Sequence, residues 1–550
     1  MLSASTTDFP AASGPAPRTR SRGLDAARWH VPAGRFYIGL AIVALTIGAL
    51  SLLIPSTPSY DPWAWIVWGR EIVHLNLQTT GGPSWKPLPM IFTVPFALFG
   101  NAEPNLWLVV ARAGAVAAVV MVFRLSFRLT RQVGSYFTSV PADPGQLTRV
   151  APALFAGLIA AAGLALTGGY VSDNALGYSE GLATALMLIA LERHLDGRPR
   201  QAFAVGFFVA LDRPEIWLFW GPYGLWLWWK DPGARKLVYA LFVLIPVLWF
   251  LPELWGSGHL LRGAERAQNP RSNSPAFAKC PFCTELKNSW VTVLSRIKYA
   301  AGIGALAGAV LLWRAVRTRG GWRLDGNRER AMFVIICAGV FGMAWFVLIA
   351  LLTQAGFSGN NRYLVLGSAL IEIAGCATWG WGALELGRWL ARRRGGTGRR
   401  FATPAGSVAV VALAALVFAF APSFVGGSLT DIPRTHRALV YQALLRTDVQ
   451  AAVDKAGGKS KILACGTIMT EGFQVPMLAY YIGVHTLTVE APPAAGAPPG
   501  PAPNIVFQAA ETRNATLLPI LQEWPNVHYQ LIGTTRTFRV FEHCAGKVSG

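Results

Sequence analysis

Residues 59–90, SYDPWAWIVWGREIVHLNLQTTGGPSWKPLPM, decide how the rest of the chain is read. They follow an apolar segment, 36–54, long enough to cross a bilayer, yet they set Asp61, Arg70, Glu71, His74 and Lys86 among tryptophans and prolines. The aromatic and aliphatic residues of DPWAWIVWGREIVHL predict an amphipathic helix lying in the membrane interface. Anchoring accounts for the tryptophans but not for Asp61 or Lys86. An ionisable side chain near a bilayer is costly unless it faces a bundle interior or a polar cavity.

The 550-residue chain is 53% hydrophobic and only 14% charged, against roughly 25% charge in soluble proteins, and its mean hydropathy is positive. This is the composition of an α-helical polytopic membrane protein. Apolar runs recur at 36–54, 105–123, 151–167, 180–192, 201–211, 215–229, 237–251, 299–313, 331–352, 363–384 and 406–422. They predict about eleven transmembrane helices, although several are short of the roughly 20 residues that a bilayer requires. The net charge of +21 follows their order. Arg18, Arg20, Arg22, Arg28 and Arg35 precede the first span, and basic clusters at 124–131, 193–200, 230–236, 314–330 and 388–400 occupy every second connection. Positive charge collects on the cytoplasmic side, so the N-terminus is expected there. Topology and inner-leaflet lipid contact explain the basic excess, and no nucleic-acid partner is required.

Three regions follow: a disordered basic cytoplasmic tail (1–34), a transmembrane domain (35–422) with a first extracytoplasmic loop at 55–104 and a long loop at 252–298, and an extracytoplasmic small α/β domain (423–550). The first apolar segment is long and no small-residue cleavage site follows it, so a cleaved signal peptide is not expected. In the last region RALVYQALLRTDVQAAVDKA has helical periodicity, KSKILACGT, HTLTVE and NIVFQAA read as short strands, and TRTFRVFEH alternates as an edge strand does. APPAAGAPPGPAP is a proline-rich connector. Cys337 and Cys376 fall inside spans as apolar packers. Cys280 and Cys283, in CPFC, read as a loop-stapling disulfide, with redox chemistry or half a zinc site as the alternatives. Cys465 and Cys544 are candidates for a second bridge, whose connectivity spacing does not fix.

On this topology the uncommon polar residues near span ends fall on one side. Asp61 and Lys86 lie in the first loop, Glu180 at the start of the fourth span, Arg213 and Glu215 in LDRPEIW after the fifth, and Arg362 in GNNRYLVLG before the tenth. Such convergence marks a site in which acids and bases could hold a phosphorylated lipid and take a proton from an acceptor. Each residue also has a plainer reading. Asp61 could cap the helix that follows it, Arg362 could snorkel to headgroups, Arg213 and Glu215 could neutralise each other, Lys86 could meet anionic lipid, and Glu180 could be structural. His74 and His259 read as interfacial, since no paired metal-ligand spacing accompanies them. Asn514-Ala515-Thr516 matches a glycosylation acceptor pattern that often occurs by chance.

The run Asp61, REI, WKPLPMIFTVPFALFG and LWLVVARAGAVAAVVMVFRLSFRL resembles the start of the GT-C membrane glycosyltransferases, in particular protein O-mannosyltransferases and aminoarabinose lipid A transferases. Those proteins place an Asp-Glu after the first span, then a Lys-Pro-Pro-Leu-like turn, an amphipathic stretch ending in Phe-Gly, and a second span bearing an arginine. Asp61 matches the family's catalytic aspartate, Lys86-Pro87-Leu88 the turn and Arg112 the second-span arginine. YSEGLATALMLIALERHLDGR is similar to the segment with an acid before the fourth span, which places Glu180 there. ALDRPEIWL resembles the segment closing the fifth span, and NRYLVLG the Arg-Tyr-Leu-Leu-Pro start of a late one. The resemblance covers about 360 residues, and its first block is the most specific. Pro62 departs from the family, standing where many relatives carry a second acid.

The resemblance implies a polyprenyl-phosphate sugar as donor and no other certain cofactor, with the need for a divalent metal left open. It implies that Asp61 acts as general base while an acceptor hydroxyl attacks the anomeric carbon with inversion. Arg362, Arg213 and Lys86, in that order, are the candidates for binding the leaving phosphate, with Glu180 and Glu215 as supporting acids. Expected partners are membrane lipid, the donor, and an acceptor glycan, lipid or protein of the cell envelope. Tyr480, Tyr481 and Trp524 could contact a glycan, but such residues more often belong to a core. Alanine-, glycine- and arginine-rich text points to a high-GC bacterium, hence a plasma membrane. One alternative is a transporter or flippase of a lipid-linked solute, which predicts a repeat symmetry between halves that is not visible. Another is a non-catalytic envelope-assembly protein, which the departure at Pro62 keeps open.

Overall fold

The computed structural model describes residues 33–134, 146–271, 273–319, 327–393, 422–493 and 498–544. The tail expected over 1–34 lies outside the described residues as far as residue 32, and the span expected over 406–422 lies outside them but for its last residue. The chain forms two units, Met1–Val43 and Ala44–Gly550, and helix α1 (Ala33–Leu50) begins in the first. In the second unit, α2 (Tyr60–Val73) and α3 (Pro87–Phe96) precede the long α4 (Glu103–Val133). There follow α5 (Gln146–Ala165), the short α6 (Tyr170–Ala175), α7 (Glu180–Leu195), α8 (Pro199–Ala210), α9 (Trp217–Lys230) and α10 (Arg235–Ser257). Then come α11 (Arg262–Ala267), α12 (Pro281–Thr292), α13 (Ser295–Arg319), α14 (Asn327–Gln354) and α15 (Val365–Arg393).

Six helical segments among the described residues are long and apolar enough to cross a membrane: Gly34–Leu53, Pro87–Val133, Pro232–Ser257, Ser295–Thr318, Arg328–Gln354 and Asn361–Gly387. The chain is a multi-pass membrane protein. Four runs expected as spans fall in helices outside these six. α5 carries the apolar stretch Val150–Ala165, and α7, α8 and α9 have 16, 12 and 14 residues. At 1.5 Å per residue α8 and α9 rise only about 18 and 21 Å, short of a hydrocarbon core of about 30 Å. A tight turn at Leu211–Arg213 joins these two helices.

Residues 422–544 form α16 (Pro422–Lys455), α17 (Gly458–Cys465), α18 (Val475–Ile482) and a six-stranded mixed sheet of β1 (Ile468–Thr470), β2 (Val489–Glu490), β3 (Ile505–Ala510), β4 (Leu517–Leu518), β5 (Gln530–Thr534) and β6 (Arg539–Glu542). The order is β2-β1-β3-β6-β5, with β4 paired to β3. β1 runs parallel to β2 and β3, and β6 runs antiparallel to β3 and β5. β3 is buried over all six residues, as suits a strand covered on both faces. Two sequence expectations are corrected. KSKILACGT forms α17 where a strand was expected, because a short apolar run fits either period. TRTFRVFEH supplies β6, an interior strand and not an edge, because alternation reports a solvated face and not a missing neighbour.

The expected interfacial helix is also corrected. Residues Pro62 to Gly69 of α2 are buried without interruption, so the helix is covered on all sides. Trp63, Trp65 and Trp68 share one core with Leu445 and Val449 of α16, Leu478 of α18 and Phe507 of β3. Trp63 packs on the rings of Tyr480 and Tyr481, at 5.2 and 6.0 Å between centroids. Trp524 is also buried, its Nε1 donating to the Gly500 carbonyl at 2.9 Å. Arg70 donates to the Tyr480 and Val484 carbonyls at 3.0 and 2.8 Å, and the Glu71 carboxylate meets His485 Nδ1 at 2.7 Å. Burial pushes the Glu71 carboxyl up, with the Gln78 amide and His485 opposing. Arg70 and Glu71 therefore tie α2 to the C-terminal sheet region, which leaves Asp61 and Lys86 to be explained.

Candidate active site

Asp61 lies in the first turn of α2, where negative charge is favourable beside unpaired amides. It is not the cap: Ser59 holds that position, and Pro62 fits a turn whose amides need no intrahelical acceptor. Ser59 fixes this end of the helix. Its amide donates to the Leu176 carbonyl at 2.9 Å, and its hydroxyl lies 3.0 Å from the Tyr178 hydroxyl. The connection between α5 and α7 is held in turn by α4, through Trp107 Nε1 on the Gly177 carbonyl (2.9 Å) and Arg112 on the Ala175 carbonyl (2.6 Å). α4 and α7 cross closely: a Cβ on Gly114 would sit 2.5 Å from the Leu182 Cα. That crossing places Glu180, the first residue of α7, inside the bundle.

Lys86 precedes α3, whose Leu88 amide donates to the Leu211 carbonyl at 3.1 Å. This bond sets Lys86 beside the α8–α9 turn that carries Asp212 and Arg213. Arg362 is the second residue of the short 3-10 turn Asn361–Leu364 ahead of α15, where Trp345 Nε1 donates to the Tyr363 carbonyl at 2.8 Å.

These elements bring Asp61, Lys86, Glu180, Arg213, Glu215 and Arg362 into one cluster. Arg362 Nη2 donates to Asp61 Oδ2 at 2.7 Å, and its Nε lies 3.4 Å from Glu180 Oε1. The same Glu180 oxygen accepts from Arg213 Nη2 and lies 3.9 Å from Lys86 Nζ. Lys86 Nζ is 3.6 Å from Asp212 Oδ1 and 3.3 Å from the Ser179 hydroxyl. Arg213 also faces Asp212 at 3.8 Å and Glu215 at 3.9 Å, so Glu180 and not Glu215 is its close partner. Two tyrosines stack on the guanidinium groups: Tyr178 lies 3.9 Å from Arg362, and Tyr363 lies 4.1 Å from Arg213. Several buried polar atoms here have no hydrogen-bond partner among the described residues, including Glu180 Oε2, Arg213 Nε, Arg362 Nε and both Asp212 oxygens. Unsatisfied buried groups are expensive, and their concentration makes this cluster the candidate for a polar site.

Asp212, Asp173, Tyr178 and Tyr363 belong to this site and were not singled out in the sequence. Asp212 and Tyr363 adjoin residues that were, and Asp173 and Tyr178 lie between α5 and α7, within seven residues of Glu180. Burial raises the Asp173 carboxyl to about 7; nearby Arg362 opposes the rise and Glu180 adds to it. Arg112, His74 and His259 stand apart: Arg112 is committed to backbone carbonyls and to the Ser51 hydroxyl, and both histidines are exposed. Among the described residues, no group of three or more His, Cys, Asp or Glu side chains is placed to hold a metal ion.

The turn that carries Arg362 is backed by α12. Phe282 donates its amide to Gln354 Oε1 at 3.2 Å, and the Glu285 carboxylate lies directly under Gly359. The Cys280 and Cys283 sulfurs at the start of α12 are at bonding distance, 2.14 Å, as are those of Cys465 and Cys544, 1.92 Å. Burial pushes the Glu285 carboxyl up to about 7, with Asn288 opposing. Its protonated form is favoured in the folded state, so stability is lost as pH rises from about 4.5, its ordinary value, through about 7. Glu285→Gln is therefore expected to raise the unfolding temperature at pH 8 and leave it unchanged at pH 4, as read by thermal unfolding in detergent.

Neither a protein-family model nor a curated protein matches the chain. Among solved structures it is similar to ArnT from Cupriavidus metallidurans bound to undecaprenyl phosphate, with 13% identity over 92% of this chain and 98% of that one and a TM-score of 0.47. The apo state of the same protein matches at 14% identity over the same shares, with a TM-score of 0.44. An Archaeoglobus fulgidus oligosaccharyltransferase in the apo form matches at 13% identity over 82% of this chain and 64% of that one, with a TM-score of 0.46.

Proposed function

We propose that this protein is an integral membrane glycosyltransferase that moves a sugar from a polyprenyl-phosphate donor to an acceptor hydroxyl, with inversion, in assembly of a cell-envelope glycan or glycoprotein. The observation that carries the reading is the cluster itself: three cations, Lys86, Arg213 and Arg362, meet four carboxylates at one end of an apolar bundle. In the reaction, Asp61 takes the proton of the acceptor hydroxyl as its oxygen bonds to the anomeric carbon. The bond from that carbon to the phosphate oxygen breaks, and Arg362, with Arg213 and Lys86, stabilises the charge left on the phosphate. Glu180, Asp212 and Glu215 orient these cations. The sequence topology supports an N-terminus in the cytoplasm, an extracytoplasmic region 423–550, and a site on the outer face of the plasma membrane.

Native mass spectrometry of the purified protein in mild detergent tests the reading. Wild-type protein is expected to carry a polyprenyl phosphate or its sugar adduct, and Arg362→Ala to lose it. Folded wild-type protein that takes up none, even from added polyprenyl phosphate, would overturn it.

A further inference from the structure

Every cation of the cluster is already paired: Arg362 with Asp61, Arg213 with Glu180, and Lys86 with Asp212. Among the described residues, the ion pairs of Asp61, Glu180, Asp212 and Glu215 are with Lys86, Arg213 and Arg362 alone, so four carboxylates meet three cations before any anion arrives. A phosphate added to that arrangement would be repelled. Room for it comes from opening one of the pairs.

The geometry selects which pair opens. Arg213 and Glu180 are 4% and 3% exposed; Arg213 is enclosed by two further acids and the Tyr363 ring, and Glu180 is shared by three cations. Asp212 is fully buried beside Lys86. Asp61 and Arg362 are the more open pair, at 17% and 12%. Asp61 has Arg362 as its single ion-pair partner among the described residues, whereas Arg362 keeps Glu180 and the Tyr178 ring when Asp61 leaves. The buried Arg362 Nε makes no hydrogen bond among the described residues, although it lies 3.4 Å from Glu180 Oε1.

Resting on the donor reading above, we propose that the Asp61–Arg362 ion pair is a latch that the donor's phosphate opens. The phosphate takes the Arg362 guanidinium, and the Asp61 oxygen that had accepted from Arg362 becomes free to accept the proton of the acceptor hydroxyl. In the latched state that oxygen is occupied, so the base is withheld until the donor is seated. Donor therefore binds before the acceptor is activated.

The test is a double-mutant cycle on binding of farnesyl phosphate, a short isoprenyl monophosphate, to the full-length protein in detergent by calorimetry. Asp61→Asn removes the competing carboxylate and is expected to bind farnesyl phosphate about tenfold tighter than wild type. Arg362→Gln binds it more weakly, and Asp61→Asn/Arg362→Gln no more tightly than Arg362→Gln alone. Farnesol shows no such pattern, and inorganic phosphate gives no response over the same concentrations. An equal gain from Asp61→Asn in both backgrounds would reduce the effect to charge repulsion and overturn the latch. So would unchanged or weaker binding by Asp61→Asn while Arg362→Gln still weakens binding, an outcome that leaves the donor site standing. Unaltered binding by Arg362→Gln would overturn the donor reading and the latch with it. A response to inorganic phosphate matching that to farnesyl phosphate would show a free-anion site and overturn the assignment to a lipid donor. If Arg362→Gln does not fold, Arg362→Lys keeps a cation in the cluster and closes the cycle; the gain from Asp61→Asn must then be smaller in the lysine background than in wild type.

Discussion

Asp61→Asn is expected to lower glycosyl transfer by about two to four orders of magnitude, the range that a positioned general base contributes. The substitution keeps the size and shape of the side chain, so α2 and its tryptophans remain in place. Its amide can still accept a hydrogen bond from Arg362 through its oxygen, but it cannot take a proton from an acceptor. The measurement is transfer of labelled sugar from a polyprenyl-phosphate donor in membranes that contain equal amounts of inserted wild-type and variant protein. A non-catalytic assembly protein would tolerate the change, and so would a transporter in which Asp61 only orients Arg362. Turnover within a few fold of wild type would therefore remove Asp61 from the chemistry. The latch adds a signature that a merely damaged site would not give: the variant that loses turnover binds farnesyl phosphate more tightly.

Trp63→Ala is expected to cost about 3–5 kcal/mol, the range for truncating a buried aromatic residue. Trp63 is 1% exposed; its ring packs on Tyr480 and Tyr481, and its Nε1 donates to the Thr57 hydroxyl at 3.3 Å. Truncation opens a cavity in the core that α2 shares with α16, α18 and β3. Thermal unfolding in detergent, with limited proteolysis after Lys455 and Lys459 as a local probe, should show the C-terminal region loosening first. Because Asp61 stands two residues away on the same helix, turnover should fall as well. An unchanged unfolding temperature would mean that this core is not formed in the membrane-embedded protein.

The residues of the cluster were legible because the signal is one-dimensional. Asp61, Lys86, Glu180, Arg213 and Arg362 each interrupt apolar text near the same end of a span, and the alternation of basic clusters says which end that is. Asp212 obeys the same rule. Pairing was not legible. Nothing in LDRPEIW states that Arg213 turns to Glu180, 33 residues back in the chain, in preference to Glu215 two residues on.

A multi-pass helical protein with an α/β region at its C-terminal end could be read from the amino-acid order alone, because apolar run length, charge placement and residue periodicity are local properties that the bilayer and the backbone read directly. That α2 is buried and not an interfacial anchor emerges at the level of packing. An all-round apolar helix with a few charges has the same composition in either place, and what settles it is whether another surface is present to cover it, here α16, α18 and β3. Tertiary structure likewise decided that Arg362 rests on Asp61, 301 residues away. Ion pairing depends on distance in space, which the packing of α4 on α7 and the turn before α15 set and no local pattern encodes.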